Sequence, residues 1–295
     1  MNKVVLKNIS SQGEPLEAIF LPEGGMNLVS YRLGDIEVID QKTHPLYEER
    51  MAGLGALIGP HFYHRQKISS GYDPSLFPHI ARVKAQGINE PFSHGIARYV
   101  PWKYVASDTQ IKAKLHGSDL YKGVPLSVFE GQDFTMTYEA RLLDTGLFIE
   151  YKVESELPSV IGLHYYYALT GKSVVHGEVQ PKYQDQDAWQ PLPKEWTKGK
   201  ESHLHFSLTQ EADFGFVPAK KTPTDHDYRM ILDTDAYSLH LDFNSASDEE
   251  ISCQIYHPNE SSYVCIEPLS AHFPSKPQLT RSMIETKIEI FPALS

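Results

Sequence analysis

The sequence contains little cysteine, no excess of positive charge and no long apolar run. Cysteine occurs only at Cys253 and Cys265, which excludes a disulfide-rich scaffold. Acidic side chains outnumber basic ones by 38 to 27, and this balance disfavours nucleic acid and anionic membrane surfaces as partners. No stretch approaches the length of a transmembrane helix, and the first residues lack the pattern of a signal peptide. We therefore expect a cytoplasmic protein whose cysteines are buried thiols, rather than a pair that faces across a hairpin.

Several catalytic templates are also missing. The sequence has no G-x-S-x-G elbow, no Walker loop and no G-x-G-x-x-G segment. His61 and His64 are too few and too irregularly spaced to predict a zinc site, so no metal is expected. His203 and His205 lie on one strand face and are interpreted as surface residues. A carboxylate pair for glycoside hydrolysis remains open, because no local pattern selects one.

Short β-prone runs dominate the chain. They predict strands at 3–9, 16–21, 26–33, 36–39, 98–107, 110–116, 127–130, 134–143, 147–154, 159–169, 203–208, 237–243, 251–257, 263–267 and 283–291. Asp144-Thr145-Gly146 indicates a hairpin, while 53–75 and 181–200 are interpreted as long loops. No Pro/Ser-rich linker divides the chain. The pattern predicts one all-β domain over 1–295, either a sandwich or a barrel, and a sandwich of this length would be unusually large.

The stretch 263–268 is the one around which we organise the remaining motifs. It reads Tyr-Val-Cys-Ile-Glu-Pro, an apolar strand that should stop at Pro268 because proline cannot donate to a ladder. Glu267 would then sit at a strand end, facing a cleft or solvent. A glutamate there is either a solvated end-cap or a positioned base.

Three further patterns favour the interpretation of Glu267 as a positioned base. They are 60–65 (PHFYHR), 92–98 (FSHGIAR, followed by Pro101-Trp102) and 163–167 (LHYYY). Taken alone, His94 is a turn residue and His164 a core histidine. Together, histidines, arginines and one carboxylate near loops and strand ends suit proton transfer on a neutral, hydroxyl-rich substrate.

These motifs resemble those of the aldose 1-epimerase (galactose mutarotase-like) superfamily, in the same order along nearly the whole chain. Gly24-Gly25-Met26-Asn27-Leu28 with Ser30 is similar to the family's early turn and strand. Segment 59–65 resembles its arginine-containing loop, and 94–102 resembles H-G-x-A-R-x-x-P-W, the most specific local match. Segments 163–167, 224–228, 255–258 and 263–268 are similar to L-H-x-Y-F, T-D-x-x-Y, V-Y-x-P and C-x-E-P.

The resemblance implies an all-β fold, the large antiparallel β-sandwich called the supersandwich, and interconversion of the α and β anomers of an aldose without a cofactor. It places His164 on the catalytic acid and Glu267 on the catalytic base. It places Arg65, His94 and Asp225 on substrate-binding positions, with Asp227 as the alternative to Asp225. The expected partner is a small sugar, and the protein would be a monomer or a homodimer.

Two alternatives stay open. The first is an epimerase acting on a hexose 6-phosphate, for which Arg65, His64, Arg82 and Arg98 are the candidate phosphate ligands. The second is a sugar-binding module on the same fold without turnover, because fold does not fix function. The sequence does not name the sugar.

Overall fold

Antiparallel strands make up most of the regular structure in the computed structural model, which describes residues 2–64, 73–85, 87, 91–185, 188–222, 224–225 and 227–293. The strands up to Ser155 are β1 (Val4–Ile9), β2 (Pro15–Leu21), β3 (Asn27–Leu33), β4 (Ile36–Glu37), β5 (Gly55–Ile58), β6 (Lys103–Ala106), β7 (Gln110–His116), β8 (Leu120–Tyr121), β9 (Val124–Pro125), β10 (Phe134–Leu143) and β11 (Gly146–Ser155). The later strands are β12 (Gly162–Ala168), β13 (Val174–Asp185), β14 (Ala188–Pro191), β15 (Thr197–Lys198), β16 (Lys200–Ser207), β17 (Ala212–Pro218), β18 (Tyr228–Asp233), β19 (Tyr237–Ser245), β20 (Ser252–His257), β21 (Tyr263–Leu269) and β22 (Arg281–Pro292).

Helices are few and short among the described residues. They are α1 (His44–Arg50), α2 (Pro78–Ala85) and α3 (Leu126–Glu130), with 3₁₀ turns at Pro22–Gly24, Gln41–Thr43, Pro74–Leu76, Ile96–Tyr99 and Lys194–Trp196. None of these described helices has the length and apolar character needed to cross a bilayer.

The strands form two large antiparallel sheets that share one long strand. The first sheet runs β1-β2-β3-β5-β12-β21-β20-β17-β13-β14. The second runs β6-β7-β10-β11-β22-β19-β18-β13-β16. Strand β13 pairs with β16 and β18 through its first residues, and with β17 from Val179 onward. The predicted large antiparallel β-sandwich is therefore confirmed.

Alternating side chains explain how the two sheets bury one core. In β10 every second residue from Phe134 to Leu142 is buried, the pattern of a strand with one face inward. The Tyr138 and Tyr165 hydroxyls are hydrogen-bonded at 2.9 Å between β10 and β12, and so join the two sheets through the core. Because β12 is buried on both faces, its other face must be covered by loops rather than by a sheet.

The structure corrects several strand predictions. The run 127–130 lies in α3, because a five-residue apolar segment does not distinguish strand from helix. The region 53–75 contains β5, and 181–200 contains the end of β13 and all of β14. Strand β21 continues past Pro268 to Leu269, which pairs with both Gly162 and Ser252. One missing donor therefore does not end a strand that is paired on both sides. The hairpin at 144–146 is confirmed, with Leu143 opposite Gly146.

Two glycines allow three loops to meet above β12. Gly25 has φ +77°, and a Cβ built on it would lie 2.0 Å from the carbonyl oxygen of Arg98. Gly95 has φ +86°, and its Cβ would lie 1.9 Å from the carbonyl oxygen of Gly59. Only glycine permits both the left-handed backbone and these close approaches. The glycines of the sequence motifs thus bring segments 24–30, 59–64 and 94–102 together at one edge of a cleft.

Candidate functional site

His164 lies in the middle of β12, on the face of the strand that looks away from the core. Its neighbours Leu163 and Tyr165 belong to the hydrophobic core, so the period of two turns His164 outward. The side chain is nevertheless buried, with 6% of the residue exposed, because the loops above β12 cover it. Its buried Nδ1 atom is left without a hydrogen bond among the described residues, and this histidine is therefore held by packing.

Glu267 lies opposite His164 on the adjacent strand β21. The register that pairs Gly162 with Leu269 and Tyr166 with Cys265 sets the two side chains across from each other. The His164 Nε2 and Glu267 Oε1 atoms are 3.5 Å apart. Glu267 is 1% exposed, and its Oε2 atom has no hydrogen-bond partner among the described residues.

Burial shifts both groups away from their charged forms. It raises the pKa of Glu267 well above 4.5, against the opposing effect of the nearby Arg98 cation. It lowers the pKa of His164 well below 6.5, and Arg98 adds to that effect. A net charge on the pair is costly in this setting, so the pair is most stable when the two groups hold one proton in total.

Tyr166 fixes the plane of the His164 ring. The two rings are stacked, with centroids 4.9 Å apart and an interplanar angle of 12°. Tyr263 packs against Tyr166 with ring centroids 4.8 Å apart, and the Tyr256 ring lies 6.4 Å from the imidazole. Tyr166 and Tyr256 line the cleft and form an aromatic floor next to the acid–base pair, and Tyr263 packs against both of them.

His94 approaches His164 from the loop above. The two ring centroids are 5.1 Å apart and the rings are perpendicular. The Tyr63 backbone N–H donates to His94 Nδ1 at 3.3 Å, which leaves the ring proton on Nε2. Burial, followed by the Arg98 cation, lowers the pKa of His94 well below 6.5. His94 is therefore a neutral hydrogen-bond donor, held by a backbone with φ +64°.

Arg98 supplies a buried positive charge behind the pair. It is 3% exposed, and its Nε donates to the Leu57 carbonyl at 2.8 Å. Its Nη2 atom has no hydrogen-bond partner among the described residues, although it is buried. A buried, incompletely satisfied guanidinium at the wall of a cleft is suited to a polar or anionic ligand.

An acidic group lines the part of the cleft formed by β17 and β20, beside Glu267. Gln254, the cross-strand partner of Glu267, donates through Nε2 to Asp213 Oδ1 at 3.0 Å. Burial raises the pKa of Asp213, with Glu211 and Asp185 adding to the shift. Carboxylate and amide oxygens are acceptors for hydroxyl groups, so this part of the cleft is suited to a polyol.

The cleft has a volume of about 940 Å³, within the range of small-ligand sites. Its lining brings together the groups described above with residues from α1, β13 and the segment after β21: Arg50, Ala52, Phe62, Tyr63, His64, Pro91, Ser93, His94, Arg98, Tyr99, His164, Tyr166, Gln184, Asp185, Asp213, Gln254, Tyr256, Glu267, Pro274 and Ser275. The geometry combines an acid–base pair, a neutral donor, a carboxylate and an aromatic floor in one place.

Of the five residues predicted from the sequence, the structure brings three together in this cleft: His94, His164 and Glu267. Asp225 lies elsewhere, in an exposed turn, where its carboxylate accepts from the Thr222 N–H and hydroxyl at 2.8 and 2.9 Å. Asp227, the alternative, is exposed and accepts from Asn244 Nδ2 at 2.7 Å. Arg65 lies outside the described residues.

The sequence analysis overlooked Asp213 and the floor tyrosines. Strand β17 was not predicted, because the run ADFGFVP from Ala212 to Pro218 is broken by a glycine and ends on a proline, both of which are turn signals. The available signal was the alternation of Ala212, Asp213 and Phe214, which exposes the aspartate on the face opposite the core.

The structure confirms the expectation for the cysteines and shows where His61 lies. Cys253 and Cys265 are free and buried, as predicted. His61, which the sequence spacing disfavours as a zinc ligand, contacts Glu130 through Nδ1 at 2.5 Å. Glu130 also accepts from the Ile96 N–H, so this pair braces the loops beside the cleft.

The fold is that of known solved structures, although the sequence is remote from them. No protein-family model matches the chain, and no curated protein matches its sequence. A galactose mutarotase-like protein from Lactobacillus casei superposes with a TM-score of 0.67 at 14% identity, over 98% of this chain and 100% of its own. An aldose epimerase homologue from C. elegans gives 0.63 at 14% identity, over 98% and 99%. A galactose 1-epimerase from Lactobacillus acidophilus gives 0.56 at 10% identity, over 99% of both chains. The chain therefore has the fold of these galactose mutarotase-like and aldose epimerase structures.

Proposed function

We propose that the protein is an aldose 1-epimerase, which interconverts the α and β anomers of a sugar. The observation that carries the proposal is the opposed pair of His164 and Glu267, with Nε2 and Oε1 at 3.5 Å on the floor of a cleft. An acid and a base on one face of a ligand are what ring opening of a cyclic hemiacetal requires.

The chemistry follows from the proton count of the pair. Ring opening removes a proton from the anomeric hydroxyl and delivers one to the ring oxygen. In the ion-paired form Glu267 accepts the hydroxyl proton, and protonated His164 donates to the ring oxygen. The anomeric carbon–ring oxygen bond breaks as the carbonyl forms. After rotation about the adjacent carbon–carbon bond the roles reverse, and the ring closes on the other face. The pair ends the cycle with the same single proton, so no cofactor is needed.

In this scheme the groups around the acid–base pair bind the sugar. His94 donates through Nε2, and Asp213 with Gln254 accepts from hydroxyl groups beside Glu267. Tyr256, the half-buried member of the aromatic floor, packs on the sugar ring. Asp213 takes the place that the sequence analysis gave to Asp225, because only Asp213 of the two lies in the cleft lining among the described residues.

A hexose phosphate is a second candidate substrate, and the observation that favours it is Arg50. This residue ends α1 and lines the cleft, and its buried Nε has no hydrogen-bond partner among the described residues. Arginine suits phosphate because its planar group donates several hydrogen bonds. Arg82, one of the candidates from the sequence, instead donates to the Glu48 and Glu49 carbonyls at 3.1 and 2.6 Å.

Anomer exchange measured by NMR tests the proposal. Neutral hexoses and hexose 6-phosphates are compared with wild-type protein, His164→Ala and a control variant, His176→Gln, which lies outside the cleft on the part of β13 that pairs in the second sheet. We expect exchange above the uncatalysed rate that is lost in His164→Ala and kept in His176→Gln. Exchange confined to phosphates, and weakened by Arg50→Gln, would select the second candidate. No exchange on any sugar would reject epimerase activity on these substrates in favour of a binding role.

A further inference from the structure

Cys265 brings a third potential metal ligand to the acid–base pair. Its Sγ, one ring nitrogen of His164 and one carboxylate oxygen of Glu267 all lie within 4.8 Å of one another. All three residues are buried. The proposed epimerisation uses the histidine and the glutamate but has no role for a thiol, so the cysteine is unexplained by that chemistry.

The orientation of Cys265 follows from its position on β21. It lies two residues before Glu267 and therefore shares its face, while Val264 and Ile266 belong to the hydrophobic core. Cys253 is different, because it is a member of the core cluster. The chain thus offers two buried thiols, one beside the acid–base pair and one in the core.

We propose that Cys265, His164 and Glu267 form a binding site for a thiophilic divalent cation such as Zn²⁺, and that the bound metal inhibits the enzyme. The inhibition rests on the proposed function, whereas the metal site does not. Metal occupying His164 and Glu267 would remove the groups that transfer protons.

The donor set fits zinc better than the abundant hard cations. Thiolate, imidazole and carboxylate are its usual ligands, at roughly 2.3, 2.0 and 2.1 Å, whereas Mg²⁺ and Ca²⁺ take oxygen donors. Two ligands at such distances in a tetrahedron are about 3.4 Å apart, close to the 3.5 Å between His164 Nε2 and Glu267 Oε1. The sulfur lies within 4.8 Å of both other ligand atoms, so a shift of at most about 1.3 Å would bring it to the roughly 3.5 Å separation of a tetrahedral site.

Charge makes the cysteine essential to this site. Binding would release the thiol proton and the proton held by the pair, leaving one thiolate and one carboxylate against a doubly charged ion. Arg98 lies near enough to act on both Cys265 and Glu267, and its positive charge opposes a cation. Both anionic ligands are therefore needed, and loss of the thiolate should weaken binding strongly.

A surface histidine cluster would compete with this site for Zn²⁺ in a binding experiment. His176 lies opposite His205 on β16, and its ring is 5.9 Å from that of His203. Exposed histidines of this kind can bind zinc weakly. The experiment therefore uses untagged protein carrying His176→Gln and His205→Gln as its background.

Calorimetric titration with ZnCl₂ and MgCl₂ measures the site in this background, with Cys265→Ala and the matched core variant Cys253→Ala. We expect one Zn²⁺ per chain and no Mg²⁺. Cys265→Ala should weaken Zn²⁺ binding by about tenfold or more, and Cys253→Ala should leave it within about twofold. Co²⁺ added instead should give a thiolate-to-metal charge-transfer band that Cys265→Ala abolishes. If Cys265→Ala does not fold, Cys265→Ser takes its place in both measurements.

Anomer exchange with and without Zn²⁺ tests the inhibition. The exchange rate should fall on addition of Zn²⁺ and recover with a chelator. The exchange rate of Cys265→Ala should fall less at the same Zn²⁺ concentration. Equal Zn²⁺ affinity in Cys265→Ala and its background would overturn the site. Binding at Cys265 with an unchanged exchange rate would overturn the inhibition. If no sugar is exchanged even without metal, the proposed function fails, and calorimetry and the Co²⁺ band still decide the site.

Discussion

Tyr166 lies flat against the imidazole of His164, with an angle of 12° between the rings. Both residues belong to β12 and are two positions apart, so the strand itself sets the stacking. His164 Nδ1 has no hydrogen-bond partner among the described residues, so the rotation of its side chain is restrained by packing, with Tyr166 stacked on the ring and His94 against its edge. Tyr166 is therefore a positioning residue for the proposed acid.

Replacing Tyr166 should separate ring stacking from hydroxyl chemistry. We expect Tyr166→Phe to keep kcat within about threefold, because the stacked ring remains. Tyr166→Ala should lower kcat by about 10- to 100-fold, because a misplacement of about 1 Å is that costly, and should reduce stability by about 3–5 kcal/mol. Steady-state exchange kinetics over pH, with urea unfolding, measure both effects. Equal losses in the two variants would show that the hydroxyl, not the ring, matters.

Glu267 should weaken the fold at neutral pH while serving catalysis. Its folded-state pKa is raised well above 4.5 by burial, so the folded protein binds more protons than the unfolded chain above pH 4.5. Stability must then fall as the pH rises from about 4.5 through the raised pKa. Glu267→Gln removes this loss. It should unfold at a higher urea concentration than wild type at pH 8, with the difference shrinking toward pH 4.5.

The same variant should lose about 10²–10⁴-fold in exchange rate, because glutamine is no base. Glu201, which is exposed on β16, gives the matched control. Glu201→Gln should leave both the urea midpoint and the exchange rate close to wild type. A Glu267→Gln protein that is active, or that gains no stability at pH 8, would contradict the buried-base interpretation.

How far the sequence predicts this fold is clearest from β10 and β13. The ten residues of β10 alternate cleanly, and both its bounds were predicted because a half-buried strand leaves a period-two pattern. Strand β13 was missed, although it joins the two sheets. It changes partners along its length and contains Gly177 and Pro181, so no single face stays buried. Its pairing is fixed by strands far away in sequence.

The candidate site shows the same contrast between residues fixed by local sequence and residues fixed by distant strands. His164 and Glu267 were predicted from local motifs. Each motif is a single strand, β12 or β21, so the residues next to the side chain in sequence also hold it in place in the fold. Asp213 was not, because its role depends on Gln254 and on the neighbouring β20, which only the folded sheet brings beside it. Asp225 matched a local motif, yet its turn lies away from the cleft lining. The order of the motifs along the chain therefore predicted the strands and loops of the site better than it predicted the carboxylate proposed to bind substrate.

Asp213 and Asp225 provide a matched pair for testing which of the two carboxylates binds the substrate. Asp213→Asn keeps the shape of the side chain but weakens its acceptance of sugar hydroxyls, so we expect KM to rise about tenfold or more. Asp225→Asn should leave KM within about twofold and cost only a little stability, by weakening the turn with Thr222. Exchange kinetics at varied sugar concentration measure both. The reverse result, a KM effect in Asp225→Asn alone, would restore the assignment made from the sequence motif.

Gly25 should be intolerant of even one added carbon, because its turn packs against the backbone that carries Arg98. Gly13 is the control, with a comparable φ of +88° and no atom within 4 Å of the place where a Cβ would lie. Gly13→Ala therefore reports backbone strain alone, about 1–2 kcal/mol. Gly25→Ala adds a Cβ 2.0 Å from the Arg98 carbonyl oxygen, which the chain relieves only by moving segment 94–102. We expect it to cost several kcal/mol more than Gly13→Ala in urea unfolding and to lower the exchange rate, since His94 and Arg98 move with that segment. Equal costs for the two variants would show that the loop yields freely, and that the glycine is there for its backbone angle only.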